Sequence, residues 1–402
     1  MKHPDRPDRM SPEELRAAIS LASIFGLRML GMFVILPVFA IYAESLPGGD
    51  NLTLVGIAIG IYGLTQAALQ IPFGWWSDRY GRKPVIYVGL AIFAAGSFVA
   101  ALGTHIYVVI AGRTLQGAGA ISAAVMAMTA DLTRDEHRAK AMALIGATIG
   151  ASFAISLVLS PWLNRVIGVP GIFVMTGVLV LAAMGVVYGL VPDPPRQRQP
   201  DGARGIEQLL RAFRDPQLAR LNFGVLALHA VLMALFIAMP FELRAAGLPV
   251  DQHWAVYLPV MVGSFVLMVP AILGLGKPGR FRWIFIASIA VLLAVQLLMP
   301  WLMGGVGAIA GFLLVFFTAF NVLEATLPTL VSKLAGASGR GTAIGVFASI
   351  QFFGTFLGAA AGGYLYGRWG ATGVVIFDTA LLVMWLMAAL GTRVPGQDST
   401  RC

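Results

Sequence analysis

The chain has 402 residues, 58% of them hydrophobic and 12% charged, with a mean hydropathy of +0.82 and a formal net charge of +9. A water-soluble domain cannot carry that composition, and an intrinsically disordered chain, a collagen and a disulfide-stapled secreted domain are excluded with it. The single cysteine, Cys402, leaves no intrachain disulfide and no thiolate metal centre, so neither a metal nor another cofactor is expected.

In chain order, Met1 to Arg16 is polar and proline-bearing, and the apolar run behind it is too long for a signal-peptide core, so no cleavable leader is expected. Ser11-Pro12-Glu13-Glu14 reads as a capping box with proline at the first helical position. Apolar runs of about 20 residues then recur as far as Gly391, the length that crosses a bilayer. In the first half they cover about 17–43, 53–77, 84–103, 106–130, 137–163 and 169–191. In the second half they cover about 218–241, 253–275, 283–302, 305–332, 341–366 and 370–392. Thr133-Arg134-Asp135-Glu136 reads as a second capping box, opening the fifth span.

Between the halves, Pro192 to Pro216 holds five prolines and mixed charge and reads as a linker. Within it Ile206, Leu209, Leu210 and Phe213 form an i, i+3, i+4, i+7 stripe, which predicts a short helix on the membrane surface or a plain solvated linker helix. The expected fold class is therefore an all-α membrane protein of twelve transmembrane helices in two six-helix bundles, residues 1–191 and 218–402, joined by a linker over 192–217. Ala147-Thr148-Ile149 recurs as Ala348-Ser349-Ile350 about half a chain later, as a repeated unit with its site between the halves would predict.

Of the 28 lysines and arginines, 23 fall on one face of this topology. Arg165, Arg244 and Arg368 fall on the other, and Arg28 and Arg113 lie within spans. The positive-inside rule makes the richly basic face cytoplasmic and places both termini there, in a multi-pass protein of a bacterial inner membrane. Contact with anionic lipid accounts for the positive charge, so no nucleic acid partner is expected.

Between the second and third spans stands Gly74-Trp75-Trp76-Ser77-Asp78-Arg79-Tyr80-Gly81-Arg82-Lys83. Gly74 permits close helix contact, Gly81 a tight turn, and Asp78 sets a carboxylate four residues before Arg82. Arg79, Arg82 and Lys83 also act as topology determinants. The run resembles the G-x-x-x-D-R-x-G-R-K signature of the major facilitator superfamily, at the loop where that family carries it. The resemblance implies the major facilitator fold and a latch that shuts the cytoplasmic side in the outward-open state. In that latch Asp78 faces the N-terminus of the eleventh helix, and Arg82 pairs with an acid at the end of the fourth, here Asp131.

Arg113-Thr114-Leu115-Gln116-Gly117 resembles the R-x-x-Q-G pattern of proton-driven members of that family. The antiporter signature of the fifth span is carried only in part: Ser156 and Ser160 stand at small-residue positions before Pro161, and Asn164-Arg165 replaces a glycine pair. Leu27 to Phe33, Gly56 to Gln66, Gln70 to Gly74, Leu132 to Arg134, Leu221-Asn222-Phe223-Gly224 and Asn321 to Ala325 are similar to the YajR-type drug/proton antiporters. Some of those proteins continue into a C-terminal soluble domain, which is not expected here because the chain runs only about ten residues past the twelfth span.

An ionisable group at mid-membrane costs about 2.5 to 3.5 kcal/mol on insertion scales, so Arg28, Arg113, His229, Glu324 and Asp378 each require a reason. Arg28 and His229 lie about ten residues, and Glu324 about eight, from the basic ends of their spans, roughly 12 to 15 Å deep. The resemblance implies that the first, fourth, seventh and tenth helices line a central cavity, where these three could share one water-filled site. Glu324 is then expected to carry the proton, His229 to serve as a second relay member, and Arg28 and Arg113 to take part in coupling. The alternatives are a structural ion pair for Glu324, a packing role for His229 and a snorkelling Arg28. Arg113 is expected to touch the first helix or the substrate route, or else backbone carbonyls. Asp378, on the twelfth helix, matches no motif.

Phe33, Gln66, Met126, Met233, Phe236, Phe316, Phe320 and Gln351 are candidates for the cavity wall, with plain helix packing the alternative for each. Such a wall suits amphipathic or cationic organic molecules better than sugars or phosphates. The function expected is a proton-coupled secondary transporter exporting drug-like molecules by alternating access. Uptake of a small nutrient by symport or facilitation is the alternative, and a non-transporting sensor a remote one. Gly274 to Arg280 is not a phosphate-binding loop, since Pro278 follows Lys277, and His3, His105, His137, His229 and His253 show no ligand spacing, so an enzyme is not expected. The partners expected are the lipid bilayer, a small-molecule substrate and protons, with no obligatory protein partner.

Overall fold

The computed structural model describes residues 10–193, 212–275 and 280–392. Helix α1 (Pro12–Ala43) starts with the capping box read from the sequence, Ser11 N–H donating to Glu14 Oε2 at 2.8 Å and Glu14 N–H to Ser11 Oγ at 3.2 Å. It breaks between Phe33 and Leu36, because Pro37 has no N–H to donate and its ring would strike the Phe33 carbonyl. The first half continues with α2 (Leu52–Tyr80), α3 (Arg82–Ala101) and α4 (Ile106–Asp131). Asp135–Leu190 reverses at Gly168 (φ +67°), a left-handed conformation glycine adopts freely, and so forms α5 (135–167) and α6 (169–190).

The second half holds α7 (Pro216–Ala245), α8 (Trp254–Leu275), α9 (Arg280–Leu302) and α10 (Val306–Leu334). Gly336–Leu390 reverses at Gly370 (φ +57°) into α11 (336–369) and α12 (371–390). The described residues thus build two bundles of six helices, as the apolar runs predict, and contain no strand.

Two local expectations change. Thr133 does not cap α5: its Oγ1 donates back to the Thr129 carbonyl at 2.7 Å, as a helical hydroxyl can when a carbonyl lies one turn behind it. Glu14 of α1 supplies the cap from across the bundle, accepting the Arg134 N–H at 3.0 Å and the guanidinium at 2.8 and 2.9 Å. Of the linker stripe, Ile206, Leu209 and Leu210 lie outside the described residues, and Phe213 lies in a helical segment ahead of α7. Asp215 then caps α7, accepting from Gln217 N–H at 2.7 Å and Leu218 N–H at 3.2 Å.

The halves meet along α2 and α11, backbone against backbone. A Cβ at Gly56 would lie 2.2 Å from the Ala359 carbonyl oxygen, one at Gly63 2.5 Å from that of Phe352, and one at Gly363 2.2 Å from that of Leu52. In lipid, where burial gives helices no hydrophobic reason to associate, such close approach maximises dispersion contacts. Toward the basic face the two helices part, leaving a space between Leu64, Ala67 and Ile71 of α2 and Ser349, Ile350 and Phe353 of α11.

On the other side of the contact, an aromatic seal closes the interface. Phe153 of α5 lies with its ring centroid 5.1 Å from Phe33, 6.0 Å from both Phe236 and Phe317, and 6.5 Å from Phe320. Nearer the face opposite the basic one, Arg244 donates twice to Glu44, at 2.6 and 2.8 Å, and ties α7 to the end of α1. The protein is therefore closed at that face and open toward the basic one.

The Arg244 hydrogen bond holds the Glu44 carboxyl below the ordinary carboxylate range, outweighing its partial burial. A depressed acid stabilises the closed mouth above that range, and the contribution fades as pH falls through the lowered value. Spin labels at Asn51 and Arg368 are expected to stay close in the wild type at neutral pH and to separate only in acid, whereas Glu44→Gln separates them already at neutral pH. An unchanged distance in Glu44→Gln would contradict the latch.

Candidate functional site

Helices α7, α10 and α11 bring His229, Glu324 and Gln351 together. Gly354 and Gly358 of α11 allow this, because a Cβ on them would lie 2.5 and 2.0 Å from the Leu226 and Ala230 carbonyl oxygens of α7. His229 Nδ1 stands 3.1 Å from the Val225 carbonyl, so the neutral ring carries its hydrogen there and leaves Nε2 as an acceptor. The Gln351 side-chain amide lies 2.7 Å from that Nε2 and donates also toward Glu324 Oε1 at 3.3 Å. Glu324 Oε2 is 3.6 Å from His229 Nε2.

The Glu324 side chain is 39% exposed against 10% for His229, so the carboxylate faces the opening and the imidazole stands behind it. The Gln351 amide therefore occupies the acceptor side of His229 Nε2 and lies between the imidazole and the carboxylate. The Phe320 ring lies 5.9 Å from His229 and links the cluster to the aromatic seal.

Arg28 and Arg113 belong to a different network, inside the first bundle. Arg28 is wholly buried and does not snorkel; it donates to Ser122 Oγ at 3.0 Å and to Gln66 Oε1, while Gln66 Nε2 donates to Ser122 and Gln70 at 3.1 and 3.2 Å. Equal depth therefore does not bring Arg28 to Glu324, because its helix face points into its own bundle. Gln66 is likewise a buried partner of Arg28 and not a wall of an open cavity.

Arg113 donates to the Ala58 and Ile59 carbonyls of α2, at 3.4 and 3.2 Å, and to Gln116 at 2.9 Å, so it contacts α2 instead of α1. The Tyr62 ring stands between the two guanidinium groups, 5.7 Å from Arg28 and 5.1 Å from Arg113. Among the described residues neither arginine pairs with a carboxylate. Charged hydrogen bonds of about 1.5–3 kcal/mol each and ring faces of about 0.5–2 kcal/mol offset the burial instead.

Of the remaining cavity candidates, Phe33 and Phe236 belong to the seal, Met233 and Phe316 are packed into the core, and Met126 is half-buried on α4. In the loop between α2 and α3, Arg82 joins Asp131 at 2.9 Å, Ser77 Oγ at 2.8 Å and Asp78. Gly81 takes φ +98°, and a Cβ on Gly74 would lie 3.3 Å from Ala123 of α4. Arg79 lies over the rings of Trp75 and Tyr80, and Lys83 pairs with Asp193 at 2.8 Å. The half-exposed Asp78 bonds within its own bundle in this inward-opened arrangement. Asp378 accepts from Gln296 at 2.6 Å, both buried in the second bundle away from the cluster.

Sequence reasoning passes over Phe153, Phe317, Tyr62, Ser122 and the Glu44–Arg244 pair. The spacing of Phe312, Phe316, Phe317 and Phe320 signals an aromatic helix face, and Arg244, one of few cations on its side, invites a search for an acid there. For the arginine network, removing an acceptor from an intact buried cation costs more than replacing the cation itself by an apolar chain. Gln66→Leu is therefore expected to lose about 3 kcal/mol and Arg28→Met distinctly less, read by thermal unfolding in detergent. The reverse order would contradict the network.

The family described as Major Facilitator Superfamily matches residues 21–359. The chain is 40% identical over 390 residues to the inner membrane transport protein YajR of Escherichia coli, covering 96% of this chain and 85% of that one. It is 26% identical over 376 residues to the multidrug resistance protein MdtH of Cronobacter sakazakii, covering 89% and 90%. Among solved structures, a bacterial homolog to the human lysosomal transporter Spinster, inward-facing and occupied, superposes with a TM-score of 0.73 at 16% identity, covering 94% of this chain and 96% of that one. The D-xylose-proton symporter does so with a TM-score of 0.69 at 13% identity, covering 92% and 96%. At such identities the likeness concerns the fold alone, whereas the family match and the 40% identity concern descent. The chain belongs to the major facilitator superfamily of membrane transporters.

Proposed function

We propose that the protein is a proton-coupled secondary transporter that exports amphipathic or drug-like small molecules across the inner membrane by alternating access. The basic face is cytoplasmic, and the bundles of residues 1–191 and 218–402, joined in sequence by the 192–217 linker, rock about the contact between α2 and α11. The observation that carries this reading is the cluster of Glu324, Gln351 and His229, with its amide 3.3 Å from the carboxylate and 2.7 Å from the imidazole, set in the opening on the basic face. The multidrug resistance proteins among its relatives support the substrate class.

In the inward-facing arrangement, the ionised Glu324 offers a negative charge to a cationic, apolar substrate. After the bundles rock, a proton from the outer side neutralises the carboxylate, and the substrate loses its counter-charge and leaves. Return of the neutral cluster to the cytoplasmic side releases the proton. With one monovalent cation leaving for each proton entering, the exchange is electroneutral, so the pH gradient drives it at about 1.4 kcal/mol per pH unit, without ATP. His229 stabilises the shared proton, and Arg28 and Arg113, which neither give nor take one, keep the first bundle rigid.

Everted membrane vesicles test this. Addition of an amphipathic cation is expected to dissipate a preformed proton gradient, and Glu324→Gln to lower that coupled flux by about a hundredfold. Unchanged flux and pH dependence in Glu324→Gln would overturn the assignment, and substrate moving together with the proton would indicate uptake.

A further inference from the structure

Helix α10 turns one stripe toward the first bundle. Phe317, Asn321 and Glu324 stand at i, i+4 and i+7 and so share a face of the helix. Phe317 meets Phe153 of α5 across the interface, with ring centroids 6.0 Å apart, and Glu324 is exposed in the opening. Asn321 lies between the two, partly exposed, where the opening ends against the aromatic seal. Of the run Asn321 to Ala325, the coupling cluster uses only Glu324.

A neighbour on α8 fixes how the Asn321 amide is turned. Ser264 is wholly buried, and its hydroxyl donates to the Met261 carbonyl at 2.9 Å, so toward Asn321 it can only accept. Asn321 Nδ2 donates to it at 3.1 Å. The nitrogen end is thereby held on α8 and the oxygen end is turned away from it. Among the described residues no donor meets Asn321 Oδ1, and that atom keeps accessible surface. The next acceptor along the stripe is the Glu324 carboxylate, one turn nearer the basic face. Side chains one turn apart stand about 5–6 Å apart at Cβ, within the span of one ammonium group whose hydrogen bonds reach about 2.8 Å each.

We infer that Asn321 is a specificity residue for ammonium groups that carry hydrogen, binding primary and secondary amines in preference to quaternary ammonium ions of like shape. Glu324 supplies the charge, and Asn321 Oδ1 accepts an N–H from the same head group. A quaternary head keeps its attraction to the carboxylate but leaves Oδ1 unmet, and a site built around an acceptor rejects the analogue that cannot donate. Ser264 is a positioning residue, acting through the amide it holds. The inference rests on the export reading for a cationic substrate, but binding needs no proton gradient.

The test uses full-length protein in lipid nanodiscs at neutral pH, without a gradient, and tritiated phenylbutylamine beside its N,N,N-trimethyl derivative, both cations there. Asn321→Leu nearly keeps the volume and removes the acceptor. It is expected to weaken the amine about tenfold relative to the trimethyl compound, the worth of one hydrogen bond. Ser264→Ala, which lets the amide turn, should move the ratio of affinities the same way by a smaller factor, and it decides should Asn321→Leu fail to fold. Equal weakening of both compounds would reduce Asn321 to a packing role and overturn the inference, as would an unchanged ratio in Asn321→Leu or a wild type that does not bind the amine. A ratio unchanged in Ser264→Ala alone would remove the positioning role. Selective binding without coupled flux in everted vesicles refutes the export reading alone, and coupled flux with a ratio that Asn321→Leu leaves unchanged refutes the Asn321 assignment alone.

Discussion

Glycine at positions 56, 60 and 63 lets α2 meet the backbone of α11 with almost no side chain between them, and the contact stops at Phe352. Lipid gives two apolar helices no reason to associate beyond close packing, so the interface holds only where small residues permit it. Beyond Gly63 the helices diverge toward the basic face, and the remaining features follow. The aromatic seal and the Glu44–Arg244 pair close one side, while Glu324 and the space between α2 and α11 face the other. A bundle pair joined along half its length can rock about that contact, which is the mechanical requirement of alternating access.

The two bundles treat intramembrane charge differently. The first holds two arginines in a dry network of amides, a hydroxyl, carbonyls and ring faces, where the charge is permanent and its neighbours neutral. The second places a carboxylate and an imidazole beside an opening, bridged by one amide. Groups that exchange protons need access to water, and of the two arrangements the second has its carboxylate partly exposed. Fold alone does not decide function, so the argument for proton coupling rests on this cluster and not on the superfamily.

Much of the fold was legible because each span is an apolar run bounded by charge, glycine or proline. The motif between α2 and α3 gave the superfamily, and the Arg82–Asp131 pair stands where the motif implies. Depth along a helix could be counted, but the direction in which a side chain points could not. That is why His229 and Glu324 meet as expected while Arg28, at similar depth, turns into its own bundle beside Gln66 and Ser122. Contacts between distant segments, such as Glu14 capping α5 and Glu44 holding Arg244, left no local signal, since either acid reads alone as a helix-end charge.

The central claim is that protonation of the Glu324 cluster decides which mouth is open. Spin labels at the basic-face ends of α2 and α11, at Tyr80 and Gly341, report that mouth directly through their distance distribution as the pH is stepped. At pH values above those at which the Glu44–Arg244 pair releases, the account predicts that the wild-type population shifts with pH and that Glu324→Gln holds one distribution. In that range, a pH response that persists in Glu324→Gln, or a wild type that shows none, would contradict it.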